Sequence, residues 1–338
     1  MMKRNHMIPG IGSAIGICIL ILDGKTALAG ANEGIELCIR TVIPSLFPFF
    51  LLSIALTASI GGQTSPLFQP LQKLCRIPKG SESILLAGFL GGYPVGAQAV
   101  ANAFTNGNLT RAQAERMLSF CSNAGPAFLF GIIGSQYPGA LYPWLLWAIH
   151  LLSAVAVSFI LPPVDNTPAK ASHSQPLSAA EIMRKATSVM AQVCGWIIIF
   201  RVILKFLDRW VFWLFPKVIQ ILLMGLLELS NGCCSLNQIE NVGLRFLVSA
   251  VILSFGGLCV TMQTVSVTGN LSTRKYIQGK LLQTLFSIVL ASACQSFFPR
   301  NIRFPIPMGV SAVGIAAAAL LFVLGRKNYS RNPEPYVV

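Results

Sequence analysis

Long apolar segments separated by short polar ones run along almost the whole chain. Five of them cover approximately residues 8–22, 84–104, 142–161, 278–298 and 308–324. A helix of about 20 mostly apolar residues spans the hydrocarbon core of a bilayer. The pattern therefore predicts an all-α polytopic membrane protein with roughly eight to ten transmembrane helices.

Several of these segments are interrupted by residues that weaken a helix. The sequence Gly-Phe-Leu-Gly-Gly-Tyr-Pro-Val-Gly-Ala covers 88–97, and further breaks fall at 122–126, 228–232 and 256–257. Glycine destabilises a helix by about 1 kcal/mol and proline by about 3 kcal/mol. In lipid, a break is tolerated only where protein or a wet cavity satisfies the freed backbone groups. The breaks therefore predict a solute site near the middle of the membrane.

Two topologies follow from the segments 112–134 and 242–268. If each crosses the membrane once, the chain has about ten spans, with 84–104 counted as a broken span. Each half-helix of about 11 residues is too short to cross alone, so both segments can instead be re-entrant hairpins. The chain then has about eight spans, with three crossings in each half. An odd number of crossings makes the halves inverted, as in many secondary transporters, and we favour this arrangement.

The second half of the chain repeats the first in outline. Leu85–Gly88 matches Leu222–Gly225, and Ser119-Phe120 matches Ser254-Phe255 at nearly the same spacing. A third match aligns 278–298 with 141–161 at nearly the same spacing. New helices are also predicted to start at Thr110/Gln113 and at Ser178/Glu181, because both pairs have capping-box spacing. The predicted domains are an uncleaved N-terminal transmembrane helix (1–30), a first repeat (31–162), a linker (163–178), a second repeat (179–300) and a C-terminal transmembrane helix with a polar tail (301–338).

Composition supports a membrane protein and excludes several other classes. The chain is 54% hydrophobic and 11% charged, whereas soluble domains carry about 25% charged residues. The net charge of +14 is explained by basic loops that anchor the spans, and Arg201, Lys205 and Arg245 are expected to snorkel at span ends. Nucleic-acid binding is not expected, because the sequence has no basic patch interleaved with aromatic residues. The spacing of the Cys and His residues predicts no metal cluster, and no cofactor or Walker-type loop is expected.

Glu228 is the most informative charged residue. It lies seven positions into an apolar run, where a carboxylate costs about 2.5–3.5 kcal/mol on insertion scales. It is expected to bind the solute or a coupling Na⁺ or H⁺; the alternative is a helix-end residue at the interface. Asn123 and Ser122 can bind the solute or form an ordinary turn, and Tyr93 can stack on it or pack in the core. The predicted solute-binding residues are Gly92, Tyr93, Pro94, Gly96, Gln98, Ser122, Asn123, Gly125, Glu228, Ser230, Asn231 and Gly232.

Four segments together resemble a known family. They are Ile43-Pro-Ser-Leu-Phe-Pro-Phe-Phe50, the 88–97 segment, Phe120-Cys-Ser-Asn-Ala-Gly-Pro126 and Glu228-Leu-Ser-Asn-Gly232. The chain resembles sporulation integral membrane proteins with nucleoside-recognition (Gate) domains over about residues 31–325. The resemblance implies a layout similar to concentrative nucleoside transporters, with inverted repeats, re-entrant hairpins and broken helices. It implies that 92–96, 122–126 and 228–232 line the site, and that the cargo is dipicolinic acid moved during endospore formation. The adjacent Cys233 and Cys234 depart from the expected pattern, which leaves room for a paralogue with another substrate.

The predicted function is secondary transport of a small, anionic aromatic solute, with dipicolinic acid as the first candidate. A nucleoside or nucleobase transporter and a non-transporting sporulation scaffold are the alternatives. An enzyme is not expected, because Glu228 has no partnered acid, histidine or nucleophile in the sequence pattern. The expected partners are the solute, the lipid bilayer, a coupling Na⁺ or H⁺ and, in a homo-oligomer, further copies of the chain. The expected location is the cell membrane, in particular the outer forespore membrane.

Overall fold

A computed structural model describes residues 4–60, 68–164 and 177–299, and these residues form helices and loops without a β-strand. Six helical segments are long and apolar enough to cross a membrane, so the chain is an all-α, multi-pass integral membrane protein, as predicted. The segment 308–324 and most of the linker lie outside the described residues.

The helices before the linker are α1 (Arg4–Leu22), α2 (Gly24–Leu37), α3 (Ile43–Ile60), α4 (Gln69–Cys75), α5 (Glu82–Leu86), α6 (Val95–Thr105), α7 (Arg111–Cys121), α8 (Pro126–Phe128) and α9 (Leu141–Ile160). The helices after the linker are α10 (Ala179–Trp210), α11 (Lys217–Leu227), α12 (Leu229–Cys234), α13 (Val242–Phe255), α14 (Gly257–Thr268) and α15 (Arg274–Cys294).

Short π-helical turns join some of these helices. Residues Cys38–Val42 connect α2 to α3, Ala87–Gly91 extend α5, and Leu129–Ile133 extend α8. Both predicted capping boxes are present, and their side-chain and backbone bonds start α7 at Thr110 and α10 at Ser178.

The first long helices of the two halves pack against each other in opposite directions. A Cβ atom added to Gly30 would lie 2.8 Å from the Cα of Val202, and one added to Gly34 would lie 2.9 Å from the Cα of Ile198. The numbers rise in α2 as they fall in α10, so the two helices are antiparallel. Small residues allow this close backbone approach within a membrane.

An ion-pair group ties these two helices together. Glu33 of α2 accepts hydrogen bonds from Arg201 at 2.5 and 3.0 Å, and also from Lys205. Both basic residues therefore bond a carboxylate of the neighbouring helix, and their snorkelling stays a prediction. The helix α10 continues to Trp210, which leaves both residues inside it and facing the partner helix. Arg245 caps a loop instead, since it donates to the carbonyls of Ile239 and Gln136.

The segment 82–105 does not cross the membrane but folds back on itself. A Cβ atom added to Gly96 would lie 2.6 Å from the Cα of Gly88, whereas residues eight positions apart are about 12 Å apart along a continuous helix. The interpretation of 84–104 as a broken span is therefore wrong: the chain reverses at 92–94, and we call 82–105 the first hairpin. The run was long enough to cross, but its Gly and Pro residues turn the chain around.

The segment 217–234 forms a second hairpin in the same way. A Cβ atom added to Gly232 would lie 2.2 Å from the Cα of Gly225 and 3.3 Å from the carbonyl oxygen of Ile221. Residues eleven positions apart are about 16 Å apart along a straight helix. The chain therefore reverses at Glu228, between α11 and α12.

The segment 111–136 crosses the membrane beside α9, although it is interrupted at 122–125. Arg116 donates to the Ser158 carbonyl at 2.8 Å, and the Ala124 N–H donates to His150 Nε2 at 3.0 Å. The Phe130 and Trp144 rings lie 4.5 Å apart. Residue numbers in these contacts rise along the segment as they fall along α9. The two are therefore antiparallel, and the segment runs the full length of that helix. We call 111–136 the first broken helix.

The segment 242–268 crosses beside α15 in the same antiparallel way. The Ser254 and Ser287 hydroxyls lie 2.5 Å apart, and the Phe246 and Phe298 rings are 5.1 Å apart. Residues 242–268 are the second broken helix, interrupted at Gly256, whose φ is +81°. Of the two possibilities for 112–134 and 242–268, crossing is therefore the one observed.

The two halves thus share one order of elements: long helix, hairpin, broken helix, long helix. Their last helices, α9 and α15, also run antiparallel, since Tyr142 contacts Phe298 and Ser153 bonds Ser287. This layout brings the hairpin tips and the helix interruptions together at the centre of the molecule. The duplication itself and the predicted domain boundaries stay predictions.

Candidate functional site

Each hairpin tip contacts the interruption of the broken helix in its own half. A Cβ atom at Gly92 would lie 2.8 Å from the Gly125 nitrogen, and Gly92 has φ +79°. In the second half, a Cβ atom at Gly257 would lie 3.0 Å from the Gly225 carbonyl and 3.3 Å from the Leu229 nitrogen. Glycine is needed at these positions because a side chain would separate the two breaks.

Tyr93 connects the two halves at this point. Its hydroxyl donates to the Leu253 carbonyl at 3.4 Å, and a Cβ atom at Gly256 would lie 3.0 Å from the same hydroxyl oxygen. The tip of the first hairpin therefore rests on the interruption of the second broken helix. All four breaks meet in one region.

A small cavity lies between these breaks. It is lined by residues of both hairpins, of both broken helices, of α3 and of α10. Its free volume of about 30 Å³ has room for about two water molecules. Five of the predicted site residues line it: Gly92, Tyr93, Gly125, Glu228 and Ser230.

Glu228 is buried, with 1% of its surface exposed, and it caps the helix that follows it. Its carboxylate accepts from the Ser230 N–H at 3.0 Å, from the Asn231 N–H at 2.7 Å and from the Asn231 side-chain amide at 2.6 Å. A buried carboxylate needs such donors, because an unpaired charge in a low-dielectric interior is very unfavourable. Glu228 therefore lies at the centre of the fold, at the second hairpin's point of reversal.

Ser122 and Asn123 belong to a buried polar network beside the cavity rather than to its lining. The Asn123 amide donates to the Phe120 carbonyl at 2.6 Å, and its oxygen accepts from Gln283 at 2.9 Å. Among the residues that the structure describes, the Ser122 hydroxyl finds no hydrogen-bond partner, and neither does Nδ1 of His150. Such unsatisfied buried atoms are uncommon in native interiors, and they mark polar groups available to a ligand or water.

The other predicted residues shape the hairpins. Pro94 follows Tyr93 at the first tip through a cis peptide bond, and Gln98 is half-buried on α6. Gly96 and Gly232 lie where the two arms of each hairpin cross, and Asn231 holds Glu228. Whether any predicted site residue binds a solute stays a prediction. Within residues 4–60, 68–164 and 177–299, no three His, Cys, Asp or Glu side chains are arranged to hold a metal ion.

The sequence analysis missed Lys280, which is fully enclosed in the polar network. Its ammonium group donates to the Tyr93 hydroxyl at 2.9 Å, to the Gln283 side-chain oxygen at 2.8 Å and to the Ser122 carbonyl. The predicted span began at residue 278, which made Lys280 look like a residue at a helix end. The helix begins at Arg274 instead, which places Lys280 inside it. A charged residue within an apolar span is the sequence signal that could have identified Lys280.

The chain is similar to a membrane protein of sporulation. Sporulation integral membrane protein YlbJ of Bacillus subtilis (strain 168) is 22% identical to it over 320 residues, which cover 80% of this chain and 78% of that protein. This similarity supports the sporulation membrane-protein part of the predicted resemblance. No family model matches the sequence, and no solved structure matches it.

Proposed function

We propose that this protein is a secondary transporter that moves a small polar solute through the centre of the molecule during endospore formation. The observation that carries the proposal is the meeting of two hairpin tips and two interrupted helices around one cavity. Secondary transporters place their binding sites between discontinuous helices near the middle of the bilayer. The antiparallel first and last helices of the halves support the inverted repeats that such transporters use.

The proposed mechanism is a rocking movement that opens the cavity. The cavity has room for only about two water molecules, which is too little for an aromatic ring, so the hairpin tips would have to separate to admit an aromatic solute. The contacts that would have to break at the first tip include Gly92 against Gly125 and the bonds of the Tyr93 hydroxyl to Leu253 and Lys280. The hairpins would move against the broken helices, while α2 and α10 stay tied by the Glu33 ion pairs.

Dipicolinate is the first candidate solute, as an anionic aromatic compound of sporulating cells. The similarity to a sporulation membrane protein supports this setting. The negative charge of Glu228 does not by itself argue against an anionic solute, because three hydrogen-bond donors of its own helix turn already bind the carboxylate. Lys280 supplies a positive charge directly behind Tyr93, which offsets part of the negative charge of a dianion in the cavity.

A nucleoside or nucleobase is the second candidate. The observation in its favour is that a carboxylate, Glu228, lines the cavity together with the aromatic ring of Tyr93. A carboxylate accepts hydrogen bonds from sugar hydroxyls or base N–H groups but repels an anion. Tyr93 can stack on either kind of solute.

Direct uptake by proteoliposomes tests the proposal and separates the candidates. The purified protein is reconstituted, and the uptake of labelled dipicolinate and uridine is compared in wild type, Glu228→Ala and an exposed control, Glu36→Ala. We expect dipicolinate uptake in wild type and control, and at least a tenfold loss in Glu228→Ala. Uptake of uridine without dipicolinate selects the nucleoside candidate. No uptake of either solute, together with normal sporulation of a Glu228→Ala strain, supports a scaffold and contradicts transport.

A further inference from the structure

Lys280 has the surroundings of a bound cation. Each of its three N–H groups has one acceptor: the Tyr93 hydroxyl, the Gln283 side-chain oxygen and the Ser122 backbone carbonyl. All three oxygens are neutral. Within the described part of the chain, no Asp or Glu side chain forms an ion pair with Lys280. A buried lysine is usually paired with a carboxylate, so this arrangement needs another explanation.

Helix dipoles and aromatic rings explain why a positive charge is stable at this place. Ser122 is the C-cap of α7, and the C-terminal end of a helix carries a partial negative charge that favours a cation. The ammonium nitrogen also lies 4.9 Å from the ring centre of Tyr93 and 5.9 Å from that of Tyr276. Aromatic faces at these distances attract a cation.

The orientation of the oxygens is set by the surrounding network. The Gln283 side-chain nitrogen donates to the Asn123 oxygen at 2.9 Å and to the His150 carbonyl at 3.2 Å. Both partners are acceptors, so the Gln283 oxygen must face Lys280. The site is therefore built by the first hairpin, α7, α9 and α15 together, and it presents oxygens to whatever cation occupies it.

Interrupted helices of secondary transporters use the same elements to hold a free ion. Unwound backbone carbonyls and the C-terminal ends of half-helices coordinate Na⁺ in such proteins. We propose that the Lys280 ammonium is a tethered cation in the place that a free Na⁺ would otherwise fill at the interruption of the first broken helix. The central packing then does not require Na⁺, and, resting on the proposed transport function, neither does solute movement.

Tyr93 connects this tethered cation to the cavity. Its ring lines the cavity, while its hydroxyl accepts from Lys280. When the first hairpin tip moves away, the ammonium loses one of its three acceptors and one aromatic face. The closed arrangement is thus stabilised by a side chain that is covalently part of the protein and cannot leave the site as a free ion can.

Thermal unfolding of the purified protein tests the site without a transport assay. The melting temperature is measured while choline is replaced by Na⁺ at constant ionic strength. The variants are wild type, Lys280→Ala, which leaves the oxygens facing a cation-sized space, and the control Lys205→Ala, which removes a lysine that pairs with Glu33 outside the network. We expect no Na⁺ effect in wild type and control, and a rise of about 3 °C or more in Lys280→Ala, because a bound ion stabilises the folded state.

Two results overturn the proposal: a Na⁺-dependent rise in the wild type, or a Lys280→Ala variant that folds and does not respond to Na⁺. If Lys280→Ala cannot be purified, the wild type and the longer Lys280→Met variant, whose side chain fills the space, are both expected to ignore Na⁺, and a rise in either contradicts the proposal. The readout is independent of transport. Proteoliposomes that take up no solute contradict the proposed function alone, whereas solute uptake by the wild type that stops in the absence of Na⁺ contradicts the tethered cation alone.

Discussion

At the residue scale, the close packing of the core depends on glycines that touch neighbouring backbone. A Cβ atom at Gly88 would lie 1.7 Å from the Cys121 carbonyl oxygen, and one at Gly279 would lie 2.1 Å from the Ser119 carbonyl oxygen. Gly88 holds the first hairpin against the first broken helix, and Gly279 holds Lys280 within reach of Ser122. Neither contact can relax by turning a side chain.

Replacing Gly88 by alanine is expected to destabilise the protein. The added methyl group overpacks a backbone contact, which costs about 1–3 kcal/mol or more and lowers the melting temperature by several degrees. The matched control is Gly195→Ala on α10, where an added Cβ atom meets nothing within 4 Å. Thermal unfolding in detergent compares the two. Equal melting temperatures would show that the hairpin does not pack as described.

Replacing Glu228 by alanine is expected to remove the cap of α12. Three hydrogen bonds to Ser230 and Asn231 are lost, and the loss of an N-cap with buried donors costs about 1–3 kcal/mol. Glu228→Gln keeps one acceptor oxygen, so its stability should lie between those of Glu228→Ala and wild type. The control Glu36→Ala removes only an exposed ion pair with Arg40, which contributes little. A Glu228→Ala variant as stable as wild type contradicts the capping role.

At the element scale, the sequence located the breaks but not their geometry. The capping boxes at Thr110 and Ser178 start helices as predicted, and all four interruptions are present. However, a run such as 84–104 is long enough to cross the bilayer, and the residues that reverse it act through contacts with distant segments. Gly96 meets Gly88 only after the chain has turned. Hydrophobic length therefore could not distinguish a hairpin from a broken span.

Cysteine labelling tests the first hairpin. Lys79 and Asn106 are exposed and lie just outside its two ends. In a background without accessible native cysteines, Lys79→Cys and Asn106→Cys should react with a membrane-impermeant maleimide from the same side of the membrane. The control pair Gly139→Cys and Pro163→Cys flanks α9 and should react from opposite sides. Labelling of residues 79 and 106 from opposite sides would show that 82–105 crosses the membrane and would contradict the hairpin.

At the scale of the whole molecule, two similar halves enclose one cavity that neither could form alone. Tyr93 and Gly125 of the lining come from the first half and Glu228 from the second, and Lys280 of the second half bonds the Tyr93 hydroxyl. The sequence suggested this arrangement through matching segments, and it selected five residues that line the cavity. It could not reveal the polar network, because Asn123, His150 and Gln283 lie in different spans and meet only in the fold.

The central claim is that this cavity serves alternating access, and solute counterflow tests it most directly. Proteoliposomes containing the protein are loaded with unlabelled dipicolinate and diluted into a trace of labelled dipicolinate. A carrier exchanges one solute for the other, so labelled dipicolinate should transiently accumulate above its equilibrium level, and Glu228→Ala should abolish the overshoot. Entry of label that only approaches equilibrium, or no entry of dipicolinate or of a nucleoside tested in the same way, would contradict the account.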